Sequence, residues 1–115
     1  MPFMAVDHRM VPQEEVTEEG ASGAKVRWLI TKKDGVDKFA MRHFELTPGG
    51  SSPLHSHPYE HEVFVLEGKC GIVCDDQRDI VGKGAVILVP PNARHQFRNL
   101  GSGTLEFLCM IPYVD

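Results

Sequence analysis

No stretch of ten or more residues in this 115-residue chain keeps a helical apolar period without a Gly or Pro inside it. A surface helix needs apolar residues at 3.6-residue spacing over several turns, so this feature alone sets aside helical folds. What remains is a series of short apolar runs at 25–31, 38–46, 62–66, 70–74, 86–89, 94–98 and 104–111. Between them stand KKDG, TPGGSSP, EGK, DDQ, VGKG, VPPNA and LGSG. Short strands punctuated by Gly, Pro and Asp turns predict an all-β sandwich or barrel. Helix is expected to reduce to one turn near 12–16.

The last run shows the strand period most clearly. Leu105, Phe107, Cys109 and Ile111 are all apolar, whereas Thr104, Glu106, Leu108 and Met110 are mixed. Side chains two apart leave one face of a strand, so the first set is expected to face the interior. Pro90 and Pro91 cannot donate to a ladder and should end one strand before His95 begins the next. The acidic stretch 14–24, with two glycines, reads as a solvated loop after a short N-terminal strand. No internal repeat or low-complexity tract interrupts the chain, which is expected to form one domain, with residues 1–24 preceding a barrel at 25–115. A net charge of −4 argues against nucleic acid and anionic membranes, which favour a basic face. No run reaches the length of a membrane span and the first residues lack a leader's pattern. Cys70, Cys74 and Cys109 are an odd number without a CxxC pair, which suits reduced thiols in a cytoplasm.

Four of the six histidines fall in two short segments, His55-Ser56-His57-Pro58-Tyr59-Glu60-His61-Glu62 and Asn92-Ala93-Arg94-His95. His55 and His57 share a face of an extended chain, and His61 keeps their parity after a bend that Pro58 helps impose. The same parity runs on into Val63 and Val65. Three imidazoles on one buried face leave polar nitrogens to satisfy, and neutral imidazole readily binds a borderline divalent metal. His8 and His43 stand alone and are expected to be surface or satisfied core residues.

These segments resemble a known family. Gly49-x5-His55-x-His57-x3-His61-x6-Gly68 is similar to the first motif of the cupins, and Gly84-x5-Pro90-x-Asn92-x2-His95-x3-Asn99 to the second. The stretch from Val26 to Lys69 also looks like the small four-histidine manganese cupins of thermophilic bacteria. The resemblance implies a double-stranded β-helix (jelly-roll) barrel with motifs at 49–68 and 84–99. It carries metal ligation onto His55, His57, His61 and His95. Two departures stand out. Most cupins have Glu where this sequence has His61, and Asn92 replaces a usual Gly. Either His61 or Glu62 could fill the family's carboxylate position. Counting back from Gly68 and following strand parity both favour His61, with Glu62 facing away beside Phe64 and Leu66.

Four neutral ligands leave one divalent ion per chain with its full charge, suited to an anionic or chelating oxygen ligand. Octahedral geometry leaves two positions open, whereas tetrahedral zinc would close the site. The resemblance implies manganese, while an all-nitrogen set favours zinc, nickel or copper, and iron is a further candidate. The leading expectation is a metal-dependent, dioxygenase-like oxidoreductase acting on a small organic molecule. Phe107, Cys109 and Ile111 would line its pocket, and Glu60 and Glu62 would orient ligand N–H groups. The alternatives are a non-catalytic binding or sensing module and a structural or metal-free barrel. No catalytic residue beyond the ligands stands out. A homodimer is expected, with residues 5–11 as a strand added to a neighbouring sheet.

Overall fold

The long strand β3 organises the molecule. The computed structural model describes residues 1–113, and its strands are β1 (Gln13–Glu15), β2 (Ser22–Ile30), β3 (Phe39–Ser51), β4 (His61–Glu67), β5 (Lys69–Cys74), β6 (Gln77–Gly82), β7 (Val86–Val89), β8 (His95–Asn99) and β9 (Leu105–Pro112). They form one curled antiparallel sheet in the order β6-β5-β8-β3-β9-β4-β7, with β2 also paired to β3 and β1 to β2. β3 pairs along most of its length with both β2 and β9, and its last residue, Ser51, reaches Arg98 of β8. It thereby joins the β6-β5-β8 side of the sheet to the β9-β4-β7 side.

Alternation fixes what lies inside. Along β9, Leu105, Phe107, Cys109 and Ile111 are buried while the intervening residues are half-exposed, as the period-two pattern predicts. β4 buries His61, Val63 and Val65 and turns Glu62 and Phe64 outward. The core closes around Phe107, whose ring stacks on Phe44 at 5.1 Å and meets Phe97 at the same centroid distance. Buried polar groups stitch the strands: Asn99 Nδ2 donates to Leu46 O and Gly103 O, and Phe97 N donates to Ser52 Oγ.

Several turns adopt a left-handed backbone, and two of them lie next to the strands that carry the histidine segments. Gly68 joins β4 to β5 at φ +98°, where a Cβ would lie 3.0 Å from both Leu105 Cα and Thr104 O. Asn92 sits at φ 69° in the turn before β8. Asn tolerates that region better than most residues, so replacing the usual glycine changes the turn's composition and not its shape.

Three local expectations need correction. Residues 12–16 contain strand β1, not a helical turn, because Gln13–Glu15 pairs with residues of β2. Residues 5–11 form no strand; they hold a 3-10 turn, His8–Met10, capped by the Asp7 side chain accepting from Arg9 N. Arg27 Nη1 donates to Arg9 O and Val11 O, holding the segment on its own chain. The β5–β6 hairpin turns at Asp75 and Asp76, and β6, polar and largely exposed, had no apolar run to announce it.

Candidate functional site

The two histidine segments meet at one end of the barrel through a single antiparallel bridge. His55 N donates to His95 O at 3.2 Å and His95 N to His55 O at 2.9 Å. Asn92 N donates to His57 O, so the left-handed turn also anchors the first segment. His61 opens β4 and His95 opens β8, which places both rings at the mouth with the core beneath. Bridge, turn and two strand starts thus gather all four histidines.

Around the cluster, neighbouring ring centroids are 4.2 Å (His55–His57), 5.3 Å (His57–His61), 4.6 Å (His61–His95) and 4.9 Å (His95–His55) apart. The two diagonals, His55–His61 and His57–His95, are 6.3 and 6.4 Å. Four short edges and two longer diagonals describe a puckered square. Corners of a tetrahedron would give six equal separations.

Each ring's surroundings favour neutral imidazole. His55 Nδ1 lies 3.2 Å from Glu18 Oε2, which can only accept, so the ring proton sits there and Nε2 carries the lone pair. His95 Nδ1 donates to Ala93 O at 3.0 Å with the same result. His61 Nδ1 lies 3.4 Å from both Cys109 Sγ and Arg42 Nη2. Its buried Nε2 has no partner among the described residues. Burial, reinforced by His95 and Arg42, pulls the His61 imidazole down to about 3. Burial also lowers His55, His57 and His95, with neighbouring imidazoles adding to the effect at His55 and Arg42 at His57. An orphaned buried nitrogen beside three more neutral imidazoles is a donor set that fits a divalent ion.

A cavity of about 240 Å³ opens beside these rings, lined by His55, His61, His95, Phe97, Phe107 and Cys109, among others. Phe107 and Cys109 line this cavity, while Ile111 is buried in the core and is not among its lining residues. Glu60 and Glu62 are exposed and make no hydrogen bond to the rings. Glu62 follows the outward parity of β4, and Glu18, from the acidic loop, holds the position expected of them.

Sequence reasoning missed Arg42 and Tyr59. Arg42 shares the inward face of β3 with Ala40, Phe44 and Leu46, and an arginine in an otherwise apolar inward set is a signal that could have found it. Its guanidinium donates to Cys109 Sγ at 3.0 Å and lies over the rings of Trp28 (5.3 Å) and Phe44 (5.0 Å). Arg42 Nε is buried without a partner among the described residues. Burial pushes the Cys109 thiol above its ordinary value, Arg42 opposing in part. Tyr59 stacks on His57 at 4.8 Å with the rings nearly parallel.

His8 and His43 are not solitary either. On the outer face of β3 they meet Glu45 and Glu106, with one donor atom from each residue all within 4.8 Å of one another, an arrangement that could hold one metal ion.

Comparison with known proteins agrees with the fold. A family model described as Cupin domain matches residues 42–111. The structure of the polyketide cyclase RemF from Streptomyces resistomycificus superposes with a TM-score of 0.89 at 38% identity, covering 96% of this chain and 80% of that one. The 1-methylthio-D-xylulose 5-phosphate methylsulfurylase of Rhodospirillum rubrum is 34% identical over 71 residues, 62% of this chain and 46% of that protein, so this chain spans about half its length. The oxalate-binding protein of Thermotoga maritima is 27% identical over 111 residues, covering 89% of this chain and 92% of that protein. Among the described residues no helix is long and apolar enough to cross a membrane. With more than half of its length matched by the family model, and its strands curled into the same barrel, the chain belongs to the cupin domain family.

Proposed function

We propose that this cupin is a metal-dependent enzyme whose substrate is a small organic molecule presenting anionic or enolisable oxygen atoms. The observation that carries the reading is that Arg42 and three of the four histidines share one cavity. His55, His57, His61 and His95 would hold one divalent ion, with manganese favoured by the four-histidine resemblance. A bound ion there supplies Lewis-acid polarisation of an oxygen ligand. The puckered-square arrangement of the rings supports a site with open positions over a closed tetrahedral one.

The chain's own residues then do the rest. Arg42 offers guanidinium N–H donors to an enolate or carboxylate oxygen: Trp28 and Phe44 fix it in place, Nη2 is engaged by Cys109, and Nε has no partner among the described residues. Phe97 and Phe107 form an apolar floor that excludes water, which strengthens both charge interactions. Glu18, hydrogen-bonded to His55 and lining the cavity, is a candidate proton acceptor. The names of a polyketide cyclase and an oxalate-binding protein among the relatives fit oxygen-rich ligands of this kind. Dioxygen-dependent oxidation is the second reading: it shares the enolate or chelate and needs one further open position, which the square arrangement supports.

Protein loaded with Co²⁺ and titrated with acetylacetone or oxalate tests the reading by its visible spectrum. Binding of either probe is expected to shift the spectrum, with affinity falling about 10–100-fold in Arg42→Gln, the range of one charge-assisted hydrogen bond. Binding of neither probe would contradict it. Turnover of diketone and phenol substrates without oxygen uptake would favour Lewis-acid chemistry, and stoichiometric uptake the oxidation. Tight binding without turnover across the panel would leave a sensing module.

A further inference from the structure

Alternation along β3 sends Arg42 into the barrel and its neighbour His43 out, so the two faces of one strand carry two separate donor clusters. On the outer side His43 is only 2% exposed, an unusual place for an imidazole on the convex face of a barrel. Its Nε2 lies 3.1 Å from Glu106 Oε1, and its buried Nδ1 has no partner among the described residues. The ring of His8 covers it at a centroid distance of 4.8 Å. His8 Nδ1 is 3.7 Å from Asp7 Oδ1, which leaves its other nitrogen for the cluster.

The carboxylates are arranged against ordinary sheet chemistry. Glu45 of β3 and Glu106 of β9 stand directly opposite each other in register, and Glu106 is paired on its other side with Glu67. Like charges facing across a strand pair destabilise a sheet unless something of opposite sign lies between them. Lys25 is Glu45's register partner on β2, yet the two form no ion pair, and Glu45 accepts instead from Gln13 Nε2 at 3.0 Å. No lysine or arginine forms an ion pair with Glu45 or Glu106 among the described residues.

We propose that His8, His43, Glu45 and Glu106 form a second cation site, distinct from the barrel-mouth histidines, that takes a borderline divalent ion such as Zn²⁺ and fastens the N-terminal segment to the barrel's outer face. Two imidazoles and two carboxylates are a zinc-type donor set, and the ion's double charge balances the two glutamates. The donor atoms, within 4.8 Å of one another, need to close by only about 1–1.5 Å to reach the edges of a tetrahedron with bonds of about 2 Å. Three of the donors sit on adjacent strands and are fixed by the sheet. His8 alone comes from the N-terminal segment, so occupancy couples that segment to β3 and β9 in addition to the Arg27 contacts.

The test uses chelator-stripped full-length protein without a histidine tag, titrated with Zn²⁺ and followed by elemental analysis after gel filtration and by amide hydrogen exchange. Wild type is expected to retain two equivalents, and exchange at Met10 and Val11, whose N–H groups bond to Asp7 O and His8 O, to slow on loading. His8→Ala, a change at the surface, and the isosteric Glu106→Gln should each lose one equivalent and the zinc-dependent protection. Affinity at the outer site should fall by at least the roughly 10–100-fold that disturbing even a supporting contact costs. The same equivalents in wild type and both variants, or zinc binding with no protection of residues 8–11, would overturn the site. Should the barrel-mouth histidines bind nothing, wild type would retain one equivalent and still show the protection, so the two assignments fail separately.

Discussion

His55 Nδ1 donates to Glu18 Oε2 at 3.2 Å across 37 residues of sequence, tying the acidic loop to the histidine cluster. That contact fixes the tautomer and the ring plane of His55, and partners of this type usually contribute about 10–100-fold in metal affinity. Glu18→Ala is therefore expected to weaken divalent-metal binding by that factor, and Glu18→Gln, which keeps an acceptor, by less. Competition against a calibrated chelator measures it. Equal affinity in all three proteins would remove Glu18 from the site.

Acid should destabilise the metal-free protein. The four site histidines have folded-state values below the ordinary 6.5, His61 reaching about 3. Between those limits the unfolded chain binds protons that the folded chain refuses, so stability is fully present above about 6.5 and is lost as pH falls. Each such proton contributes a slope of about 1.4 kcal/mol per pH unit. Urea unfolding from neutral pH down to about pH 5 should show the decline, with a shallower slope in His61→Gln. A flat profile in wild type would contradict the burial argument.

Asn92 at φ 69° marks a turn that supports His57 through Asn92 N and leads into His95. Asn92→Gly should be near neutral. Asn92→Val, forced into a left-handed backbone, should cost about 1–2 kcal/mol and loosen the histidine cluster with it. Chemical denaturation separates the two variants; similar stability for both would show that the turn tolerates any residue.

A homodimer is expected on more general grounds: β7 ends the sheet, and its Val86 and Leu88 are exposed. Light scattering at micromolar concentration should give twice the 12.8 kDa chain mass. A mass of one chain would refute it.

How much of this was legible in the sequence depends on whether a signal was local. The inward set of β9, from Leu105 to Ile111, was readable because period two needs only the strand itself. The inward direction of His61 and the outward direction of Glu62 were readable for the same reason: parity with Val63 and Val65 sends His61 to 3% exposure and Glu62 to solvent. Strand β6 was not, since Gln77–Gly82 is stabilised by pairing with β5 and not by an apolar face of its own. Glu18 reaches His55, and His8 reaches His43, only because loops fold back over distant strands, a long-range outcome that no spacing encodes. Arg42 lies between: its parity was readable, and its meaning emerges only beside His61 and Cys109.

A divalent ion is expected among His55, His57, His61 and His95. Anomalous diffraction from crystals grown with Mn²⁺ or Co²⁺, measured at the metal's absorption edge, locates it directly. A peak is expected there with all four imidazole nitrogens at about 2.0–2.2 Å and Glu62 outside the coordination sphere. No peak there, or a Glu62 oxygen bound while the His61 ring turns to solvent, would contradict it.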